Sequence, residues 1–312
     1  MPENILFLGG AKRVSMARMF KQSAARRGFE AGIVSYEMTS DVPVAIEGEV
    51  VIGKRWSDAD VVDDIRRVMR RNGCRTVVPF VDGAVAVASA VAEGQDDIFA
   101  PCSSAELSQQ MFDKIVSASL FASLGLEIPE TYTPGAAFPL IAKPRRGSAS
   151  KGIVKIYNEA QLQALANAGD YLIQELVEHP VEYTVDCYVS VLTGEICAVV
   201  PRVRLEVEGG EVTRTMTVDN PRLENAARRA LAALRLRGAV TLQYICPYDA
   251  PGRLMLMEIN PRLGGGAVCS VHAGVDLPGM ILDEARGIAA SPTGYRPGTE
   301  IARYRSEAVF FK

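Results

Sequence analysis

Over its first hundred residues the chain alternates short apolar runs with longer amphipathic stretches, a pattern that points to a parallel sheet covered by helices. Ile5-Leu6-Phe7-Leu8 reads as a strand that ends in Gly9-Gly10, and residues 15–27 follow with helical spacing and basic side chains on one side. Residues 32–36 form a second strand, 58–71 a helix, 76–80 a further strand and 84–92 the helix that covers it. The Gly9-Gly10 turn suits either a phosphate cradle at a helix N-terminus or a plain tight turn, since the full GxGxxG pattern is absent. Asp82 lies at the carboxyl end of a strand, where such sheets place ligands, or it caps the next helix.

From about residue 105 the texture changes. A helical stretch over 108–124 gives way to Pro129, Pro134 and Pro139, which mark a domain change. Strand pairs then replace strand–helix alternation: 138–142 and 152–156 flank a glycine- and serine-containing loop, and 158–166 returns as a helix. Residues 182–189, 196–203 and 211–216 read as antiparallel strands joined by Thr193-Gly194 and Gly209-Gly210 turns. The expected class is α/β over residues 1–104, an open parallel sheet, and α+β over residues 105–312, in keeping with two domains for 312 residues.

The 34 basic and 37 acidic residues are mixed along the chain and leave a net charge of -3, so no footprint for a nucleic-acid backbone is expected. A small-molecule substrate fits better. The N-terminus lacks a basic region and no apolar run is long enough to span a bilayer, which predicts a cytoplasmic protein with no membrane partner. Six scattered cysteines without a CxxC pair argue against a disulfide framework or structural zinc and for a reducing compartment, each thiol being a small buried apolar group.

Chemistry concentrates in three clusters. In Met255-Leu256-Met257-Glu258-Ile259-Asn260-Pro261-Arg262 an extended strand puts Glu258 and Asn260 on one face, an acid and an amide that offer hard oxygen ligands to magnesium. Arg262 adds a permanent cation for a phosphoryl group. If residues 240–246 pair with this strand across a short connection, Gln243 becomes a third oxygen ligand. The second cluster runs from Lys143, at a strand end, through a donor-rich loop with Gly147, Ser148, Ser150 and Gly152, which suits a lid over polyphosphate but is no Walker A loop. The third, Gln174-Glu175-Leu176-Val177 with Glu182 beyond it, offers backbone groups to an adenine edge and an acid to a ribose.

These clusters, in this order and at these separations, resemble the ATP-grasp superfamily, with the nearest likeness to the large chain of carbamoyl-phosphate synthase and its stand-alone relatives. The resemblance covers nearly the whole chain. It implies a preATP-grasp domain over 1–104 and an ATP-grasp domain over 105–312 with a small lid at about 130–176, the ATP-binding portion beginning at Asp113-Lys114. It further implies that Lys143 contacts ATP phosphates, that residues 147–152 form a mobile loop, that Glu175, Leu176 and Val177 hold adenine, and that Glu182 binds ribose. Gln243, Glu258 and Asn260 would be the magnesium ligands and Arg262 would steady the γ-phosphate or acyl phosphate. Gln243 stands where many members carry an acid, as in the carbamoyl-phosphate synthase branch, which leaves the number of magnesium ions open. One ATP-grasp unit is expected, without a second synthetase half or a biotin-carrier segment, and a homodimer would match the habit of relatives.

The expected activity is therefore ATP- and magnesium-dependent joining of a carboxylate to an amine through an acyl phosphate. Arg202, Arg204 and Arg214 either hold a substrate carboxylate or face solvent. His272 is an acid or base near the amine, or packs a helix, and His179 belongs to a loop. The rival readings are a non-catalytic ATP-binding sensor or scaffold and, more distantly, a dinucleotide oxidoreductase built on the Gly9-Gly10 turn.

Overall fold

The computed structural model describes residues 3–147, 151–165 and 167–310. Its N-terminal layer is a four-stranded parallel sheet of β1 (Glu3–Leu8), β2 (Ala31–Glu37), β3 (Glu49–Ile52) and β4 (Cys74–Pro79), in the order β3-β2-β1-β4. Helices α1 (Val14–Arg26), α2 (Val61–Arg71) and α3 (Asp82–Ala92) connect and cover it. Ile5 and Phe7 of β1 enter one core and Leu6 and Leu8 another, which is why the strand is apolar throughout from Ile5 to Leu8: a parallel sheet is buried on both faces. The expected strands and helices are present; β3 is an addition, and the helix expected over 58–71 begins at Val61.

The helical stretch expected over 108–124 is two helices, α4 (Ala105–Phe112) and α5 (Lys114–Ser123). Asp113 breaks it. Its backbone is extended and its carboxylate accepts the N–H groups of Ile115 and Val116 at 3.2 Å, capping the second helix. A three-stranded antiparallel sheet follows, with β5 (Leu140–Pro144) between β6 (Val154–Ile156) and β7 (Tyr171–Glu175), and a short helix α6 (Glu159–Gln163). Among the described residues Leu140, Ala142 and Ile156 form its small buried cluster, and Leu172 of β7 is buried as well.

The remainder is a six-stranded sheet in the order β12-β11-β8-β9-β10-β13, comprising β8 (Pro180–Val189), β9 (Ile196–Glu208), β10 (Glu211–Thr217), β11 (Gly238–Pro247), β12 (Met255–Asn260) and β13 (Glu300–Ala302). Helix α7 (Pro221–Leu234) buries Leu223, Ala227, Ala230, Leu231 and Leu234, a 3.6-residue stripe, against one face of that sheet. Its start is fixed by Asn220 accepting from Leu223 and by Pro221, and its end by Arg235 in the left-handed region. Helices α8 (Val268–His272) and α9 (Leu277–Ala285) complete the chain's helices among the described residues.

The two layers share one core. Phe7, Met16 and Phe20 pack with Tyr188, Val200, Leu277 and Ile281, and Arg27 ties α1 to α9 through Asp276 and Asp283 at 2.7 Å each. No single helix among the described residues is long and apolar enough to cross a membrane. All six cysteines are free and buried.

Candidate active site

Alternation along the large sheet sorts its residues by face. On β11, Val240, Leu242 and Tyr244 turn toward α7, so Thr241 and Gln243 occupy the opposite face. In register, Gln243 stands directly opposite Glu258 on β12 and Thr184 on β8, and Thr241 opposite Asn260 and Asp186. A bulge leaves Met257 unpaired and keeps Glu258 on the polar face. The pairing of 240–246 with 255–260 expected from the sequence is thus present, and it brings Gln243, Glu258 and Asn260 together. Their oxygens form a hard donor set containing one carboxylate. Among the described residues no cluster of three or more His, Cys, Asp or Glu could hold a metal, so the set suits a cation bound largely through phosphates.

The small sheet contributes Lys143. Leu140 and Ala142 point into its core, so Lys143 points out, half-buried, and donates to Gln174 at 3.1 Å. Burial, chiefly, and the neighbouring Lys114 lower its pKa to about 8, against an opposing pull from Glu258. Lys114, in the first turn of α5, donates to the Gly147 carbonyl at 2.8 Å. Its partner in chain order, Asp113, pairs with Arg145 at 2.6 Å, so cap and ion pair fix the root of the loop. A shallow cleft nearby is lined by Asp82, Lys114, Gly147, Glu258 and Asn260 among others. Ser148 and Ser150 lie outside the described residues; Gly147 (φ 136°) and Gly152 (φ 74°) bracket them with backbone angles that favour glycine.

Arg262 leaves β12 toward the N-terminal layer. Its Nε is 2.5 Å from Asp82 Oδ1, and Nη2 donates to Asn260 at 3.2 Å. Asp82 sits in the first turn of α3 without capping it, and its role is this ion pair across the layers. Beneath lies a buried network: Arg202 pairs with Asp186 at 2.7 and 3.1 Å, Ser270 donates to Asp186 at 2.6 Å, and Thr241 holds the Arg262 carbonyl at 3.0 Å.

Several expected ligand groups are engaged within the protein. Glu175 accepts both Arg253 Nη atoms at 3.1 and 2.6 Å and the Glu130 N–H at 2.9 Å, and the N–H of Leu176 bonds to Pro139. Glu182 accepts from Arg204 at 2.8 Å, and Val177 follows the end of β7. Arg202, Arg204 and Arg214 are each held by a carboxylate, so none is a free substrate clamp and Arg202 does not face solvent. His272 is exposed at the end of α8 and His179 sits in the loop before β8 at φ 47°. The Gly9-Gly10 turn does cradle an anion, but an internal one: the N–H groups of Gly10 and Ala11 bond to Glu37, whose pKa burial nevertheless raises. Sequence reasoning passed over Lys114 as a site residue and over Arg13; the Asp113-Lys114 cap was the signal for the first.

A small three-stranded antiparallel sheet, a larger antiparallel sheet with one polar face and a parallel layer sharing its core make up the arrangement of the ATP-grasp fold. Comparison with known proteins agrees with this fold: residues 167–306 match the family model described as ATP-grasp in the biosynthetic pathway with Ter operon. The biotin carboxylase domain of the Hydrogenobacter thermophilus 2-oxoglutarate carboxylase, solved with MgADP, ADP and bicarbonate, superposes with a TM-score of 0.76 at 15% identity over 96% of this chain and 73% of that one. An L-amino acid ligase from Bacillus licheniformis gives 0.71 at 16% identity over 91% and 74%. Acetyl-CoA carboxylase 1 of Arabidopsis thaliana is 28% identical over 139 residues, 40% of this chain and 6% of the plant protein, so the chain matches a small part of that relative's length.

Proposed function

We propose that the chain is an ATP- and magnesium-dependent ligase that activates a small-molecule carboxylate as an acyl phosphate and joins it to an amine. The observation that carries the reading is convergence: Lys114, Glu258 and Asn260 line one cleft with Asp82, Lys143 lies within electrostatic reach of Glu258 and Lys114, and Arg262 pairs with Asp82.

In this reading Lys143 and Arg262 balance charge on the γ-phosphate as a carboxylate oxygen attacks phosphorus and ADP departs. A bound amine then attacks the acyl carbon and phosphate leaves. Gln243, Glu258 and Asn260 would hold magnesium, which offsets charge on the triphosphate when bound. Glu175 to Val177 would meet adenine through backbone groups, because the Glu175 carboxylate is taken by Arg253. Glu182 would meet ribose, and Ser148, Ser150, Gly147 and Gly152 belong to the loop that excludes water. A cytoplasmic setting and a homodimer fit this assignment.

The test is a phosphate-release screen of amino acids and small carboxylates paired with amines, run with MgCl2 and again with EDTA. Substrate-dependent, EDTA-sensitive phosphate release is expected. Tight ATP binding with no substrate-dependent release across the screen would favour a nucleotide-binding sensor or scaffold instead.

A further inference from the structure

Two guanidinium groups near Arg262 have no carboxylate partner among the described residues, and the chemistry above does not use them. Arg13 directly precedes α1, and a Cβ built on Gly265 would lie 2.9 Å from its Nη1. Arg303, just past β13, donates to the carbonyl of the same Gly265. The glycine turn at 264–266, which follows Arg262, therefore sits between two cations that the lack of a side chain at 265 lets approach. Among the described residues neither Arg13 nor Arg303 forms an ion pair within 4.0 Å, whereas Arg202, Arg204, Arg214 and Arg262 each do.

The electrostatics make this placement unfavourable for the protein alone. Burial first, then Arg262, lower the Arg13 pKa to about 10; Glu211 opposes them, Arg303 adds to the lowering and Asp82 opposes it more weakly. Burial lowers that of Arg303 as well, with Arg202 adding to it and Glu211 opposing. A half-buried cation facing other cations, without a counter-charge in hydrogen-bond reach, is poised for an anion from outside.

We infer that the acid substrate carries a second anionic group, a carboxylate or phosphate remote from the reacting carboxylate, held by Arg13 and Arg303 over the glycine turn at 264–266. The assignment rests on the ligase reading for the word substrate, and on the geometry alone for the anion. It also gives the N-terminal layer a part in recognition, because Arg13 is the layer's own residue beside Arg262.

Calorimetry on the full chain tests it, with malonate, 2-phosphoglycolate and acetate as probes, each titrated with and without saturating magnesium AMP-PNP. One dianion at least should bind tenfold or more tighter than acetate, and which one does separates a carboxylate from a phosphate. Arg13→Gln and, separately, Arg303→Gln should each remove at least tenfold of that affinity while leaving AMP-PNP affinity within twofold, with circular dichroism reporting the fold. Equal affinity for acetate and both dianions, no measurable binding of either dianion, or dianion affinity unchanged in both variants would overturn the inference. Failure of AMP-PNP to bind while a dianion still does would instead sink the ligase reading and leave the anion site standing.

Discussion

Binding of a nucleotide triphosphate should draw a proton from solution, and Lys143 sets how much. Its pKa in the nucleotide-free protein is about 8 because burial and Lys114 disfavour the ammonium more than Glu258 favours it. A polyanion beside it reverses that balance and keeps it charged. The uptake on binding is then the fraction neutral beforehand, about a tenth of a proton at pH 7, about a half at pH 8 and about nine tenths at pH 9. Calorimetric titration with magnesium AMP-PNP in buffers of different ionisation enthalpy reads this number as a slope. Affinity should fall as pH rises through 8, approaching about tenfold per unit above it. Lys143→Arg keeps the charge at all these values and should abolish the uptake. The same shift has a stability counterpart: between pH 8 and 10.5 the unfolded chain binds more protons at this site than the folded one, so this lysine's contribution makes the nucleotide-free protein more stable as pH rises there. No uptake at pH 8, or equal uptake in Lys143→Arg, would refute the placement of this lysine against phosphate.

Glu258→Ala should abolish magnesium-dependent ATP turnover while the melting temperature stays close to that of the parent, since the side chain is half-buried and, among the described residues, forms no ion pair and belongs to no apolar core; retained turnover would remove it from the metal set. Asp186→Ala strands the buried Arg202 guanidinium and should destabilise the fold by about 3–5 kcal/mol in urea unfolding, against which a loss below about 1 kcal/mol would argue. Asp82→Asn frees Arg262 from its partner in the N-terminal layer and should lower kcat/KM about tenfold or more with AMP-PNP affinity nearly unchanged; steady-state kinetics showing parental values would make the pair purely structural.

What the sequence made legible was what strict alternation dictates. Leu242 and Tyr244 had to face a core, so Thr241 and Gln243 had to face away, and the short connection at 248–254 set β12 beside β11 with Glu258 on the same side. Both-face burial made β1 readable in the same way. The break at Asp113 was hidden because the residues around it are ordinary helix formers, and only the cap geometry ends one helix and starts the next. Arginines were the least legible. Arg202, Arg204 and Arg214 look alike as cations, and only tertiary packing shows that each ends on a carboxylate while Arg13, more than two hundred residues before Arg262, does not. Asp82 and Arg262 are separated by 180 positions, so no local pattern could pair them.

The lid's meagre interior has a consequence for timing. With Leu140, Ala142, Ile156 and Leu172 as their buried apolar side chains among the described residues, β5, β6 and β7 should exchange their amide hydrogens well before the large sheet does, opening at a small fraction of the global unfolding free energy. Lys143 rides on that loosely held part, whereas Glu258 and Arg262 are built into the firm one. The proposed ligase site would therefore be divided between a weakly cored piece and an anvil, and its two halves should differ in how often they open.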